Sequence, residues 1–388
     1  MVAPGLSRLL LFVTALACAC GQSPQATLPA ARTTASATDT SHTVVRYAHG
    51  FRIDHRGGYR ELSIVYRTAG RTDTLHYLLV DEGGKPPADR PGIPVIRTPV
   101  RSIAVLASTH IALADFVGVA DRITGLGNFR YISSPVVREN IRLGKVKEIG
   151  IDGSTNNELV IALHPGVMII SSNPDGSPGQ YKILADAGIP VLPDAEWLET
   201  TPLGRAEWVK LTGALVDKEE VVGRKFDSLE KAYKDLAAIG SSAKTKPSVI
   251  VAMPWKGIWY TPAGESFVAQ FLRDAGAAYN WSDTKGTGSL ALNVEAVVPV
   301  ALKADYWINV GEVDSRKDIA GADPRFAAFR PFKTGAIYNF NRRVNDIGSN
   351  DYWESGTVNP QLVLADLIRI FHPGVLPQDT LVYYKRLQ

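Results

Sequence analysis

Cysteine is nearly missing from this chain: Cys18 and Cys20 are the only two among 388 residues. Everything after residue 20 therefore lacks the thiols for an internal disulfide, a thiolate metal site or a cysteine nucleophile. No Gly-x-Ser-x-Gly elbow and no His-Glu-x-x-His pair occurs, which removes the commonest signatures of hydrolases and zinc proteases. No Gly-x-Gly-x-x-Gly turn opens a strand–helix unit, so no dinucleotide cofactor is indicated and none of any kind is expected. The formal net charge is only +3, without a basic run or an interleaving of basic and aromatic residues. That gives no support to nucleic-acid binding.

What the chain has is apolar bulk and rings. A hydrophobic content of 45% over this length supports more than one core, and two lobes are the default. Seven tryptophans, 14 tyrosines and 12 phenylalanines suffice to line a pocket for a large ligand, although most serve as core. Near the start, Arg8 precedes an apolar stretch at 9–17 followed by small residues. This is the plan of a secretory signal, too short to span a membrane as a mature helix. Ala19-Cys20-Gly21 resembles a lipoprotein processing site, with Cys20 as the lipidated residue of a signal at 1–20. Neither cysteine has the usual leucine three residues upstream; Cys18 is the other choice, and an ordinary cleaved signal is the alternative. Residues 21–43, rich in Ser, Thr, Ala and Pro, read as a flexible tether.

The grammar of the rest changes twice. Residues 44–94 contain alternating stretches at 62–66 and 74–80 divided by a turn at 69–71, a small β extension too short to be stable alone. From residue 95 to 216, strand, turn and helix alternate, which predicts a mainly parallel sheet covered on both faces. Asp217 begins a capping-box helix over 217–240 with Val222, Phe226, Leu229 and Tyr233 on one face. At roughly 33 Å it is long enough to bridge two lobes. The strand–helix grammar then returns over 241–388. The expected fold class is α/β, with two Rossmann-like lobes of mainly parallel sheet, one long bridging helix and a small N-terminal β extension.

Two glutamates occupy matching contexts. Glu158 lies near the start of a short amphipathic helix that turns into an apolar strand at 167–171, and Glu295 does the same before 306–310. Each sits in a first turn, where the positive end of the helix dipole favours a carboxylate. One acid on each of two rigid lobes points to docking, since paired charges orient and steer a partner more than they bind it.

These matched motifs, the single long helix and the lipoprotein-like signal resemble the substrate-binding proteins of ABC importers for ferric siderophores, haem and cobalamin, over about residues 97–387. The resemblance implies a monomeric receptor outside the cytoplasmic membrane, held by a lipid anchor, that hands a small-molecule metal chelate to a permease and its ATPase. It implies that Glu158 and Glu295 meet permease arginines and that the ligand lies between the lobes. Mapped onto this chain, the ligand loops carry Ser108, Thr109, His110, Arg130, Tyr131, Ser172 and Asn173 from the first lobe. The second lobe offers Trp255, Trp259, Tyr260, Arg342, Arg343 and Trp353. Arginine forks suit anionic chelators and aromatic rings suit their flat faces. His110 also reads as a helix-start residue, Trp255 and Trp259 as core, and Arg342 and Arg343 as solvated.

A ferric siderophore is the first expectation, with cobalamin or haem as the alternative within the class. An extracytoplasmic enzyme and an adhesive surface lipoprotein are the more remote readings. Paired carboxylates for glycoside hydrolysis are disfavoured because Glu158 and Glu295 belong to different lobes, too far apart to share a substrate.

Overall fold

The computed structural model describes residues 43–68, 71–172, 178–377 and 380–388. The signal, both cysteines, the tether up to residue 42 and Asn173 lie outside the described residues. The described residues all belong to one folded unit.

In the first lobe the central strand Ile103–Val105 is followed by Ile123–Leu126 and Lys147–Glu148 on one side. The chain then crosses over to place Val167–Ser171 and Val191–Asp194 on the other, all parallel. Val167 to Ile170 are four consecutive buried apolar residues, as a strand covered on both faces requires. Because the chain leaves the central strand in both directions, a crevice opens at the C-terminal ends of Ile103–Val105 and Val167–Ser171. The second lobe repeats the plan with Ala278–Tyr279, Ser248–Val251, Tyr306–Ile308 and Ile337–Asn339 in parallel, and Lys385–Arg386 antiparallel at its edge. Beside it lies a three-stranded antiparallel sheet of Pro254–Trp255, Ile258–Pro262 and Ser289–Asn293.

The bridging helix spans Glu219–Ser241 and buries Val222, Phe226, Leu229 and Tyr233, the expected face. Its start differs from expectation. Lys218 is the N-cap and makes no side-chain cap bond, whereas Asp217 takes a positive φ of 57° and gives its carboxylate to Arg60 of the extension at 2.5 Å. A tertiary ion pair has claimed the side chain that local sequence assigns to the cap. At the other end Gly240 meets the second lobe backbone to backbone: a Cβ there would stand 2.2 Å from Asp274 O. Only glycine permits that approach.

The N-terminal extension is a four-stranded sheet of Phe51–Arg56, Tyr59–Thr68 and Arg71–Asp81, antiparallel, plus Val95–Thr98, parallel to the third strand and continuing the sheet past residue 94. Ile53, Leu62, Ile64, Leu79 and Ile96 are fully buried in one core with Ile111, Leu126 and Trp208 of the first lobe. The segment before it is clasped by buried charges. Glu207 accepts the backbone N–H groups of Arg46, Tyr47 and Ala48 at 2.6–3.0 Å, and Lys210 donates to Val44 O at 2.7 Å and to Glu207 at 2.6 Å. Glu199 accepts His49 and Gly50 N–H at 3.0 and 2.9 Å. Tyr47 and Arg46 reach on to Glu230 of the bridging helix at 2.6 Å each, and Arg46 also pairs with Asp227. The extension thereby joins the first lobe to the front half of the helix.

Candidate functional site: the strand-end loops of two lobes

The loops after the parallel strands of the two lobes face and touch one another. The loop after Ile123–Leu126 carries Arg130 and Tyr131, and its next residue, Ile132, accepts Asn345 Nδ2 at 2.8 Å. Ser133 Oγ meets Ser349 Oγ at 3.0 Å, and Arg138 Nη2 pairs with Asp346 at 2.6 Å. These bonds bring Tyr131 of the first lobe toward the segment that ends in Trp353 of the second.

Large rings stand exposed along these loops. Tyr131, Trp255 and Trp353 are 53%, 63% and 49% exposed. Each is oriented by a neighbour: Arg130 lies over Tyr131 at 5.5 Å, Lys256 over Trp255 at 4.3 Å, and Trp353 packs edge-on to Phe340 and Tyr352 at 5.1 Å. Arg342 is exposed, with its backbone N–H fixed on Tyr383 O at 3.0 Å. Tyr260 is partly exposed beside Ile258 on the open face of the small sheet. Ser108 and Thr109 are half-buried in the first turn of helix Ser108–Val117, whose N-cap is Ala107 without a side-chain bond.

Three expected site residues are buried away from the edge, and a fourth is engaged in an ion pair. Trp259 is fully buried: the period-two alternation of Ile258–Pro262 turns it inward, where it stacks on Trp307 at 5.9 Å and donates to Val251 O at 2.8 Å. It is second-lobe core. His110 is buried on its helix, and burial pushes its pKa down to about 3, so it packs there as a neutral imidazole 3.8 Å from Asp194. Ser172 is buried as well. Arg343 is committed to Asp351 at 2.9 Å.

Sequence reasoning missed Trp197. It follows strand Val191–Asp194, is partly exposed, and its indole N–H is held by Ser172 O at 3.0 Å, so the ring is fixed at the same strand-end edge as Tyr131. The signal was an aromatic directly after a predicted strand.

A second opening lies beside the bridging helix. This cleft of about 940 Å³ is walled by Asp115 and Phe116, by Lys225 of the helix, and by Arg343, Asp351 and Glu354 of the second lobe. Arg130, Tyr131, Trp255 and Trp353 are not among its lining residues. The ring-lined edge and this cleft have different lining residues.

The two glutamates keep their matched contexts in three dimensions. Helix Asn157–Leu163 is capped by Asn156, whose side chain accepts Leu159 N–H at 3.0 Å, and helix Val294–Ala301 by Asn293, which accepts Ala296 N–H at 2.8 Å. Glu158 and Glu295 are each the second residue of their helix, exposed, and each helix turns directly into a parallel strand. That antiparallel return places both acids toward the edge of their sheet where the strands end. Glu295 has a loose partner in Arg325 at 3.8 Å, which is bound more closely to Asp323 at 2.7 Å.

Comparisons with known proteins agree with this architecture. An uncharacterized lipoprotein of Methanocaldococcus jannaschii is 28% identical over 72% of this chain and 67% of its own length. Among solved structures, a possible iron-binding, periplasmic solute-binding protein of Staphylococcus epidermidis superposes with a TM-score of 0.55 at 17% identity, covering 71% of this chain and 99% of that one. The periplasmic haem-binding protein HutB of Vibrio cholerae does so with a TM-score of 0.53 at 14% identity, covering 68% and 98%. The periplasmic binding protein family model matches residues 103–340, from the central strand of the first lobe to just past strand Ile337–Asn339 of the second. This chain belongs to the periplasmic binding protein family, and it shares its fold with solved periplasmic solute-binding proteins.

Proposed function

We propose that this protein is a lipid-anchored receptor outside the cytoplasmic membrane that captures a ferric siderophore between its lobes and delivers it to an ABC permease, docking through Glu158 and Glu295. The observation that carries the ligand choice is the edge of exposed Arg130, Tyr131, Trp255, Arg342 and Trp353 on strand-end loops of two lobes that touch. A ferric siderophore brings its iron already coordinated, so its site needs arginine forks for anionic oxygens and rings for flat faces. Haem is the second reading, favoured by exposed Tyr131 as a group able to reach the iron. The anchor reading rests on Cys20 and the polar tether; Cys20→Ser is expected to release soluble protein or stop processing, and membrane retention with an unmodified mature N-terminus would contradict it.

The test of the ligand is the absorption spectrum and mass of the molecule that co-purifies with the protein from iron-limited cells. A ferric chelate with a visible charge-transfer band is expected. An intense haem or corrinoid spectrum would overturn the siderophore assignment.

A further inference from the structure

A buried carboxylate crosses the boundary between the lobes. Glu354, in the segment after strand Ile337–Asn339, accepts Ser134 N–H at 2.7 Å on one oxygen and Ser133 N–H at 2.8 Å on the other. Those serines end the first-lobe loop that carries Tyr131, and Ser134 caps helix Pro135–Arg142. The Glu354 side chain is almost wholly buried.

Its charged surroundings are unbalanced. From its own segment comes Asp351, which holds Arg343 at 2.9 Å and Ser355 Oγ at 2.7 Å. Helix Ser108–Val117 contributes Asp115, whose carboxyl burial also pushes up. The cations nearby are engaged: Lys225 of the bridging helix donates to Phe116 O at 2.9 Å, Arg138 pairs with Asp346 at 2.6 Å, and Arg205 pairs with Glu196 at 2.7 Å. Tyr383, from the C-terminal segment, is bonded to Ser355 Oγ at 2.9 Å. Ionised Glu354 thus faces two acids and no free cation among these groups. The open cleft beside the bridging helix, which Glu354 helps to line, gives solvent protons a route to it.

We propose that Glu354 is a proton-operated latch between the lobes: protonated it is at ease in the closed interface, and ionised it favours parting of the lobes, which lets water reach it. Two N–H donors favour the carboxylate, but burial opposes it, as do Asp351 and Asp115, and the balance pushes its pKa from 4.5 up to about 7. In a parted interface the carboxyl is hydrated and returns toward its ordinary value. Parting therefore releases a proton and is favoured as pH rises, the effect growing from about pH 4.5 and levelling off above about 7.

The experiment is hydrogen exchange of the purified, ligand-free protein from pH 5 to 8, with protection of the Ser133 and Ser134 amides corrected for the intrinsic pH dependence of exchange. Wild-type protection is expected to fall by up to about a hundredfold across that range, and Glu354→Gln, which has no proton to lose, to stay flat. Asp115→Asn removes one repelling charge while keeping the latch, so its midpoint moves to lower pH; this variant decides the matter if Glu354→Gln does not fold. Wild-type protection that ignores pH, a Glu354→Gln slope equal to wild type, or an unmoved Asp115→Asn midpoint would overturn the latch.

Discussion

Trp255 and Trp259 stand four positions apart, one ring exposed and the other buried. Trp259 is a pillar of the second lobe, in a cluster with Trp307, Phe326 and Phe329, and Trp259→Ala is expected to cost about 3–5 kcal/mol in chemical denaturation. Trp255→Ala is expected to leave that midpoint nearly unchanged and to weaken ligand binding. The distinction was legible in part: alternation along 258–262 sends Trp259 and Tyr260 to opposite faces, but which face is the core depends on strand Tyr306–Ile308, which begins 44 residues after Pro262. His110 shows the same limit, since its burial depends on the elements packed over its helix and not on its neighbours in sequence. Arg130 and Arg342 remain exposed with no ion-pair partner among the described residues. Their replacement by alanine is expected to weaken binding of an anionic chelate by about 1.5–3 kcal/mol each, measured by titration.

The bridging helix was predicted at 217–240 and spans Glu219–Ser241. Its apolar face was readable because 3.6-residue periodicity is local. The use of Asp217 was not, because its partner Arg60 belongs to the extension, 157 positions earlier. The same reason hid the clasp: nothing near Glu207 and Lys210 in sequence says that residues 44–48 will supply their bonds. Glu207→Gln, which takes the charge from the fully buried acceptor of three N–H groups and leaves Lys210 unpaired, is expected to lower unfolding stability by about 3–5 kcal/mol. An equal or higher denaturation midpoint would show that the clasp adds nothing. Gly240→Ala, which drives a methyl into the Asp274 carbonyl, is expected to destabilise the junction of helix and second lobe.

At the scale of the molecule, two similar lobes joined by one helix present matched acids beside the loops proposed to hold the ligand. Glu158→Ala and Glu295→Ala are expected to leave ligand affinity and melting temperature nearly unchanged while lowering uptake in cells, and lysine at either position to lower it further through repulsion at the docking face. Normal uptake by the double alanine variant would contradict the docking assignment. The family-wide plan was legible because it repeats within one sequence, each glutamate following an asparagine cap. The extension's attachment was not, because the bonds that tie it to the first lobe and to the helix are long-range. The most direct measurement of the central claim is a titration of the purified protein with a panel of ferric siderophores, haem and cobalamin, followed by tryptophan fluorescence. Saturable quenching by a ferric siderophore at one per chain, weakened in Trp353→Ala and Arg342→Ala, is the predicted result; quenching by haem or cobalamin alone would contradict the ligand assignment, and silence to the whole panel would contradict the receptor reading itself.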